Sequence, residues 1–352
     1  LHIFSGGIQG REHFWQGHSG RVFKAAWNTR HSCWVTIGGD GVISHWDKTG
    51  NRSLPDRRLD SGAPHLAALD PSSATLVLVW IGLLGSEMRV MDLNEPGAIP
   101  KQIDLGSIHC RSLAVAPGGA SILAGDDNGT VVIRSRDGEV LRSIRVHNGP
   151  VQSLSYLSKN EFTTSGDGQL RFWDVAGNET APKINLGNEI ESRVFGAPNR
   201  VVVSRSDDPF LKSFTPHGLQ AFPPVDLGAH ARAVGWTGKS NFAVIDTSGS
   251  LHVIDPAKRR HDVIPGAVPL GLNSNLATSP WDERIAVCAV KESTVRIFNS
   301  TGGDPSSFDP RLGKGESIVS LCWHPNRTDL LIATDQGRLL SADPNKPEQA
   351  VK

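Results

Sequence analysis

A recurring hairpin constrains this chain more than any other feature of its sequence. Its clearest copy is FTTSGDGQLRFWD, residues 162–174, in which two strand-like runs flank the pair Asp167-Gly168. An Asp-Gly pair is a strong hairpin signal because the turn requires residues that tolerate positive φ. Alternation after the turn puts Phe172 and Trp173 on opposite faces, so both faces must be buried. One hairpin is marginally stable in water, which predicts that it packs on further copies of itself.

Eight stretches of the chain share a plan of apolar strand, turn, second strand, tight turn and third strand. These repeats cover about residues 17–47, 62–92, 105–135, 147–174, 186–215, 227–255, 268–299 and 313–343. Their closing residues step by about 40 to 45 positions, the period of a four-stranded propeller blade. We therefore predict an all-β fold, with residues 1–352 forming a single closed β-propeller of four-stranded antiparallel blades. Eight blades are expected, and seven is the alternative if one repeat is misread.

The ends of the chain carry strand-like runs outside the eight repeats. The fourth strand of each blade is expected in the variable linkers, such as residues 139–146. Residues 12–16 resemble a fourth strand placed ahead of the first repeat. Because an unpaired sheet edge invites aggregation, we expect 12–16 to complete the last blade. Leu1–Phe4 resembles a third strand that has no blade, as at the tail of a preceding propeller. Because the chain begins at Leu1 without a methionine or a signal-like segment, we expect that it was excised from a longer polypeptide with further domains.

Composition narrows the classes of partner and compartment. Lys+Arg and Asp+Glu number 36 each, so an affinity of the whole surface for nucleic acid or for an anionic membrane is not expected. The longest apolar run, residues 74–84, is too short to span a bilayer. The four cysteines lie far apart and form no Cys-x-x-Cys pair, which favours buried free thiols. We expect an intracellular protein, in the cytoplasm.

These repeats resemble the WD-repeat β-propeller family, and the resemblance covers nearly the whole chain. In that family a Gly-His before the first strand, a Ser or Thr in the second, the Asp of the tight turn and a terminal Trp form a buried hydrogen-bonded network. The resemblance implies such networks at His18, Thr36, Asp40 and Trp46, and at His147, Thr163, Asp167 and Trp173. It also implies that both histidines are structural, as neutral imidazoles bonded to a carboxylate.

The remaining repeats depart from the family pattern. The sixth repeat keeps His230 but has Ser248 at the turn position, and the third and seventh end in Arg134 and Phe298 where the tryptophan is expected. We expect apolar packing to hold those blades together.

No catalytic constellation emerges from the sequence. The run Thr237-Gly-Lys-Ser240 ends like a phosphate-binding loop, but Ala233 stands where the loop requires glycine. The chain contains neither a His-Glu-x-x-His nor a Gly-x-Ser-x-Gly motif, and no Cys-His cluster at zinc spacing. We therefore assign no catalytic, cofactor-binding or metal-binding residue, and we expect the protein not to be an enzyme.

Recognition is the role that the sequence favours, in the form of a protein-interaction, scaffold or sensor module for signalling. The resemblance implies that partners dock on the face that carries the tight turns and the loops into the first strands. Candidate contact residues there are Ser19, Arg21, Gly39, Asn148, Glu189, Asp207, Asp208, Arg232, Asp335 and Gln336. Aromatic residues dominate interface energetics, so Trp15, Trp34 and Trp281 are of interest if they are exposed.

Two alternatives to protein binding remain open. The first is a small-ligand or enzymatic site in the central channel, assembled from distant blades. The second is a nucleic-acid-binding propeller, for which the basic segments at residues 57–58 and 258–261 are the candidates. Acidic neighbours such as Asp56, Asp60 and Asp262 weaken the case for nucleic acid.

Overall fold

A computed structural model describes residues 13–29, 31–70, 74–83, 85–95, 98–187, 191–197, 200–237, 241–269, 274–280, 282–289, 292–300, 305–325 and 327–343. Every regular element in these ranges is a β-strand. In the same ranges, no helix has the length and apolar character that crossing a membrane requires.

The strands are numbered in chain order. They are β1 (His13–Gln16), β2 (Val22–Asn28), β3 (Cys33–Gly38), β4 (Val42–Trp46), β5 (Arg52–Arg58), β6 (Leu66–Asp70), β7 (Thr75–Gly82), β8 (Gly85–Asp92), β9 (Lys101–Asp104), β10 (Cys110–Val115), β11 (Ser121–Asp126), β12 (Thr130–Ser135), β13 (Val140–Arg145), β14 (Ser153–Tyr156), β15 (Glu161–Gly166), β16 (Gln169–Asp174), β17 (Glu179–Asn185), β18 (Ser192–Ala197), β19 (Arg200–Arg205), β20 (Asp208–Phe214), β21 (Gln220–Asp226), β22 (Ala231–Thr237), β23 (Asn241–Asp246), β24 (Leu251–Asp255), β25 (Arg260–Ile264), β26 (Ser274–Thr278), β27 (Arg284–Ala289), β28 (Val295–Asn299), β29 (Ser306–Phe308), β30 (Ile318–Trp323), β31 (Leu330–Thr334) and β32 (Arg338–Ala342).

These strands form eight four-stranded antiparallel sheets, which are the blades of a β-propeller. Blade 1 comprises β2–β5, blade 2 β6–β9, blade 3 β10–β13, blade 4 β14–β17, blade 5 β18–β21, blade 6 β22–β25, blade 7 β26–β29, and blade 8 β30–β32 with β1. The predicted all-β class and the count of eight blades are thus confirmed.

The chain divides into two compact units of four blades each. Unit one consists of residues 1–27, 32–63 and 232–352 and holds blades 1, 6, 7 and 8. Unit two consists of residues 28–31 and 64–231 and holds blades 2 to 5.

The hairpin of blade 4 has the register that its sequence predicts. Phe162 pairs with Trp173 and Gly166 with Gln169, which leaves Asp167 and Gly168 as the turn. Both turn residues have positive φ, 43° and 70°. A two-residue turn of this kind matches the twist of the flanking strands, which explains the Asp-Gly pair at this position.

The cores of unit two lie between successive blades. Between blades 3 and 4, Ile133 of β12 packs with Leu154, Phe162 and Trp173, all of them at least nine-tenths buried. Similar clusters join blade 2 to blade 3 and blade 4 to blade 5. Because burying one large apolar side chain contributes about 1.5 to 3 kcal/mol, each blade depends on its neighbour for stability.

In unit one, a strand from the start of the chain completes the last blade. β1 pairs antiparallel with β32, from His13 opposite Ser341 to Gln16 opposite Arg338. Half-buried Trp15 packs against the cluster shared by blades 8 and 1, with its ring 5.9 Å from that of Trp46. Residue 12 and Leu1–Phe4 lie outside the described residues.

Candidate functional site

Blade 1 contains a buried chain of hydrogen bonds that connects a loop to its tight turn. His18 is 3% exposed, and its Nδ1 lies 3.1 Å from Asp40 Oδ1. Its Nε2 lies 2.7 Å from Thr36 Oγ1, which also accepts the indole N–H of Trp46 at 2.7 Å. The structure therefore brings together the four residues that the sequence assigned to this network.

The direction of each hydrogen bond in the blade 1 network follows from the two groups at the ends of the chain of bonds. The indole of Trp46 only donates and the carboxylate of Asp40 only accepts. Thr36 therefore donates its hydroxyl proton to Nε2 of His18, and Nδ1–H of His18 donates to Asp40. This order satisfies every ring nitrogen with a neutral imidazole, in which only Nδ1 carries a proton.

Blade 4 contains the same arrangement with one correction to the sequence assignment. His147 Nδ1 lies 2.6 Å from Asp167 Oδ1, but its Nε2 lies 3.0 Å from Thr164 Oγ1, which also accepts Trp173 Nε1–H at 3.1 Å. The hydroxyl of Thr163 instead donates to the carbonyl of Arg171 at 2.9 Å. The assignment of Thr163 to the network was wrong, because successive side chains of a strand point to opposite faces.

The length of the tight turn explains why the bonded threonine and the turn aspartate are separated by different numbers of residues in the two blades. Blade 1 places three residues between its second and third strands, with Asp40 in the middle, whereas blade 4 has only Asp167 and Gly168. The extra residue in blade 1 moves the bonded threonine from three to four positions before the aspartate.

Burial keeps both histidines neutral. Desolvation lowers the pKa of His18 and of His147, and the facing carboxylates of Asp40 and Asp167 only partly oppose it. Burial would raise the pKa of Asp40, but bonds from the Ser19 N–H and from other groups outweigh burial and leave that pKa below its ordinary value.

Each histidine also connects its own blade to the preceding turn. The backbone N–H of His147 donates to Gly129 O at 3.0 Å, in the tight turn of blade 3, and that of His18 donates to Gly337 O at 3.0 Å, in blade 8. The next N–H in the chain donates to the turn aspartate, at 2.8 Å for Ser19 and at 3.0 Å for Asn148. We name the surface formed in each unit by these turns and by the loops into the first strands its turn face.

The candidate contact residues fall into three groups. Exposed residues are Ser19, Arg21, Gly39 and Gln336 in unit one, and Asn148 and Asp207 in unit two. Half-buried residues are Arg232 and Asp335 in unit one, and Asp208 in unit two. Glu189 lies outside the described residues.

The two aspartates of blade 5 already have partners within the blade. The guanidinium of buried Arg205 donates to both carboxylate oxygens of Asp207, at 2.8 and 2.7 Å, and holds the pKa of Asp207 below its ordinary value. Lys212 Nζ lies 2.9 Å from Asp208. Part of the charge of both carboxylates is therefore balanced before any partner binds.

In blade 8, the position that corresponds to His147 of blade 4 is occupied by one member of an ion pair. Ser317 N–H donates to Asp335 at 2.9 Å, as Asn148 does to Asp167 in blade 4. The preceding residue is Glu316, whose Oε2 accepts Gly313 N–H at 2.7 Å and Arg338 Nη1–H at 2.6 Å. The sequence did not predict this pair, because the family pattern of His and Trp does not include a Glu and an Arg at these positions.

Blade 6 has a polar cluster that the sequence pattern also did not predict. Asp246 accepts the Ser248 hydroxyl at 2.7 Å and the Ser250 N–H at 2.9 Å, and it lies 3.0 Å from His252 Nε2. His252 Nδ1 in turn lies 2.9 Å from Nε2 of exposed His261. An Asp-x-x-Gly spacing, shared with residues 126–129 of blade 3, was the signal that could have located this aspartate.

In the described residues, no group of three or more His, Cys, Asp or Glu side chains could hold a metal ion. All four cysteines are free, and burial raises the pKa of Cys110, Cys288 and Cys322 to about 12, so these thiols stay protonated. Trp34 is only 1% exposed and Trp15 is half-buried, while Trp281 lies outside the described residues.

Comparisons with known proteins agree on the repeat. The family described as "WD domain, G-beta repeat" matches residues 138–174, which run from the third-to-fourth-strand turn of blade 3 to the third strand of blade 4. WD repeat-containing protein 81 of Homo sapiens is 29% identical over 38% of this chain and 7% of its own length. The ribosome biogenesis protein WDR12 homolog of Trichoplax adhaerens is 25% identical over 62% of this chain and 58% of its own length.

A solved structure shows the same fold. The crystal structure of the computationally designed Ika8 protein superposes with a TM-score of 0.72 at 15% identity, and covers 93% of this chain and 98% of that one. The chain spans less than two thirds of the length of the curated relatives named above.

Proposed function

Because the chain belongs to the WD-repeat β-propeller family, we propose that it is a non-catalytic scaffold that binds protein partners through its turn faces. The observation that carries this proposal is the pair of buried histidine networks in blades 1 and 4. Each network holds a loop against two tight turns and leaves the next residue, Ser19 or Asn148, exposed beside a fixed backbone.

Rigid loops favour binding because little conformational entropy is lost when a partner docks. Exposed Arg21 and Asn148 lie within three residues of His18 and His147, so their backbones are held by the networks. Arginine is enriched among the residues that dominate interface energies, which makes Arg21 the first candidate for a strong contact. Asp207 and Asp208 are weaker candidates because a partner would compete with Arg205 and Lys212.

The partner and the compartment are further parts of the proposal. The relative named for ribosome biogenesis supports a role in assembling proteins. Four free cysteines support an intracellular, cytoplasmic location, since disulfides form in oxidising compartments. The greater length of the relatives supports a sensor or scaffold module within a longer signalling polypeptide.

Affinity capture with matched charge variants tests the proposal. Arg21→Glu and Asn148→Arg alter the turn faces, and their controls Lys48→Glu and Asn160→Arg change exposed residues in other turns of the same two blades. Captured proteins are identified and quantified by mass spectrometry after thermal unfolding has shown that all four variants fold. We expect at least one partner to be lost from a turn-face variant and kept by its control.

The same capture experiment can overturn the proposal. If Arg21→Glu and Asn148→Arg retain every partner, the turn faces do not bind. If only Lys48→Glu or Asn160→Arg loses partners, the opposite ends of the blades carry the interaction.

A further inference from the structure

The fourth strand of each blade leaves one edge of its sheet open. In the described residues, these strands lie at the ends of the strand orders and pair on one side only. An open edge presents unpaired N–H and C=O groups that can accept another strand. Proteins protect such edges with proline, short strands, bulges and charges.

Six of the eight fourth strands carry an evident protection. Prolines interrupt β5, β17 and β21, at Pro55, at Pro182, and at Pro223 and Pro224. Three others are short, since β1 and β9 have four residues each and β29 has three. A proline removes a backbone donor, and a short strand offers too few donors for stable pairing. Among the described fourth strands, β13 and β25 are the two that have neither a proline nor a length of four residues or fewer, and the one irregularity in the pairing of β13 lies at Leu141.

The basic side chains in and before the edge strand β25 form ion pairs with acidic side chains nearby. Arg260 forms an ion pair with Asp262 at 2.5 Å, and Lys258 in the preceding turn forms one with Asp255 at 3.2 Å. Val263 is its one large apolar side chain that stands exposed. This strand therefore offers a partner little apolar surface and little unbalanced charge.

The edge strand β13 differs in each of these respects. It has six residues without proline, and two consecutive apolar side chains, Val140 and Leu141, are each 56% exposed. Arg142 and Arg145 are exposed, and none of the ion pairs in the described part of the chain includes either of them. From Arg142 to Arg145 the pairing with β12 is regular, and the one irregularity lies at Leu141.

We propose that the open edge of β13 binds an extended segment of a partner protein that carries apolar residues opposite Val140 and Leu141 and acidic residues opposite Arg142 and Arg145. The segment adds a fifth strand to blade 3. Backbone hydrogen bonds supply affinity, and side chains on alternate positions supply specificity, as in other cases of strand addition. Apolar residues of the segment cover Val140 and Leu141, while acidic residues face Arg142 and Arg145.

Charge selects this occupant over a second copy of the same chain. Pairing β13 with itself would bring four arginines together, and like charges at an interface oppose association. The same two arginines attract an acidic strand. The arrangement therefore combines attraction for one partner with repulsion of another.

The C-terminal end of β13 adjoins the turn face, since the guanidinium of Arg145 donates to the carbonyl oxygens of His147 and Asn148 at 3.1 and 3.4 Å. The two proposals still fail separately, because the edge variant changes Arg142 and the capture variants change Arg21 and Asn148. The variant of β13 changes none of the residues that the capture experiment tests, and the capture variants leave the sequence of β13 unchanged.

Peptide selection tests the edge proposal. A phage library of random linear peptides is selected against the full chain, and enriched peptides are synthesised and titrated by calorimetry. We expect enriched sequences without proline that place a pair of apolar residues beside acidic residues, and that slow hydrogen exchange of the β13 amides. Methylating alternate backbone nitrogens of the peptide should abolish binding, because it removes the donors that strand pairing needs.

Two charge variants complete the test. Arg142→Glu should weaken binding of the selected peptides about tenfold or more, since like charges then face each other. Lys183→Glu on β17 is the matched control, because it reverses an exposed charge on a proline-interrupted fourth strand, and it should leave affinity unchanged. Unaltered thermal unfolding shows that both variants fold.

Four outcomes would overturn the edge proposal. They are an empty selection, peptides that bind equally after backbone methylation, protection of amides outside β13, and equal losses in Arg142→Glu and Lys183→Glu. Concentration-dependent protection of β13 without peptide would assign the edge to a second copy instead.

Discussion

Blades 4 and 8 solve the same structural problem with different chemistry. In both, the loop into the first strand donates a backbone N–H to the aspartate of the tight turn, from Asn148 to Asp167 and from Ser317 to Asp335. The residue before that N–H is buried in both blades. It is neutral His147 in blade 4, and in blade 8 it is Glu316, which pairs with Arg338.

The comparison shows which part of the repeat is essential to its geometry. The clamp between loop and turn is common to both blades, while the buried side chain behind it varies. The imidazole of His147 has a partner for each ring nitrogen, whereas Oε1 of Glu316 is buried and has no hydrogen-bond partner among the described residues. An unsatisfied buried oxygen costs free energy, so blade 8 has the less complete network of the two.

The largest expected effect comes from moving the backbone that positions His147. Gly129 has φ of 89°, and a Cβ there would collide with the carbonyl oxygen of His147. We expect Gly129→Ala to lower the free energy of unfolding by about 3 kcal/mol or more, from strain and displacement of the loop. Gly228→Ala is the control, since φ is 70° there and the space is open, and it should cost about 1 kcal/mol. Urea unfolding measures both, and equal losses would show that strain alone matters.

The next effect separates the two adjacent threonines of blade 4. Thr164→Val leaves the Trp173 N–H and His147 Nε2 without their shared partner, and should cost about 2 to 3 kcal/mol. Thr163→Val removes one bond to a strand carbonyl and should cost about 1 kcal/mol. Both side chains are fully buried, so the pair is matched in size and burial. If Thr163→Val lowers the free energy of unfolding more than Thr164→Val does, Thr163 belongs to the network and the assignment to Thr164 is wrong.

Blade 8 should respond to loss of charge rather than loss of a hydroxyl. Glu316→Gln weakens the bonds from Gly313 N–H and Arg338, and we expect a loss of about 2 kcal/mol because bonds to charged groups are the stronger ones. The exposed pair of Glu191 and Arg193 serves as the control. Glu191→Gln should leave the free energy of unfolding within experimental error, as is usual for surface ion pairs. Indistinguishable variants would mean that burial adds nothing to the pair in blade 8.

The smallest effect is a dependence on pH that arises at the other end of blade 8. Burial, with Arg327 nearby, lowers the pKa of His324 to about 4, and its ring lies 3.9 Å from that of Trp27. Below about pH 6.5 the unfolded chain binds a proton that the folded chain refuses until about pH 4, so acidification favours unfolding across that window. The lowered pKa values of His18 and His147 act in the same direction.

Between pH 7 and 5.5, His324 should account for a loss of about 1 kcal/mol in the free energy of unfolding. His324→Gln should remove that share of the slope, as measured by urea unfolding at both pH values. His217→Gln, at an exposed turn position, should leave the slope unchanged. A slope that survives in His324→Gln would show that folding does not lower the pKa of His324.

Local chemistry explains how much of the site could be predicted. Asp40, Asp167, His18 and His147 were recognisable because a tight turn and the loop beside it need particular residues at short, fixed spacings. The choice between Thr163 and Thr164 was not, because one residue more or less in the turn reverses the face on which a side chain stands.

The polar networks of blades 6 and 8, which replace the family's pattern, could not be predicted from residue spacing alone. Glu316 and Arg338 are 22 residues apart, and Asp246 reaches His261 only through His252. Such partners become neighbours only after the strands have paired. From the sequence alone, many other acidic and basic residues could equally have been the partners.

The sequence by itself determined the class of fold and the number of blades, since strand alternation and turn chemistry act over a few residues and recur along the chain. Tertiary structure alone decided which buried groups are bonded and which carboxylates, such as that of Asp207, are already paired. It also decided which fourth strand is left open. The physical reason is that burial and charge pairing depend on what neighbouring blades bring into contact, and that information is spread over the whole chain.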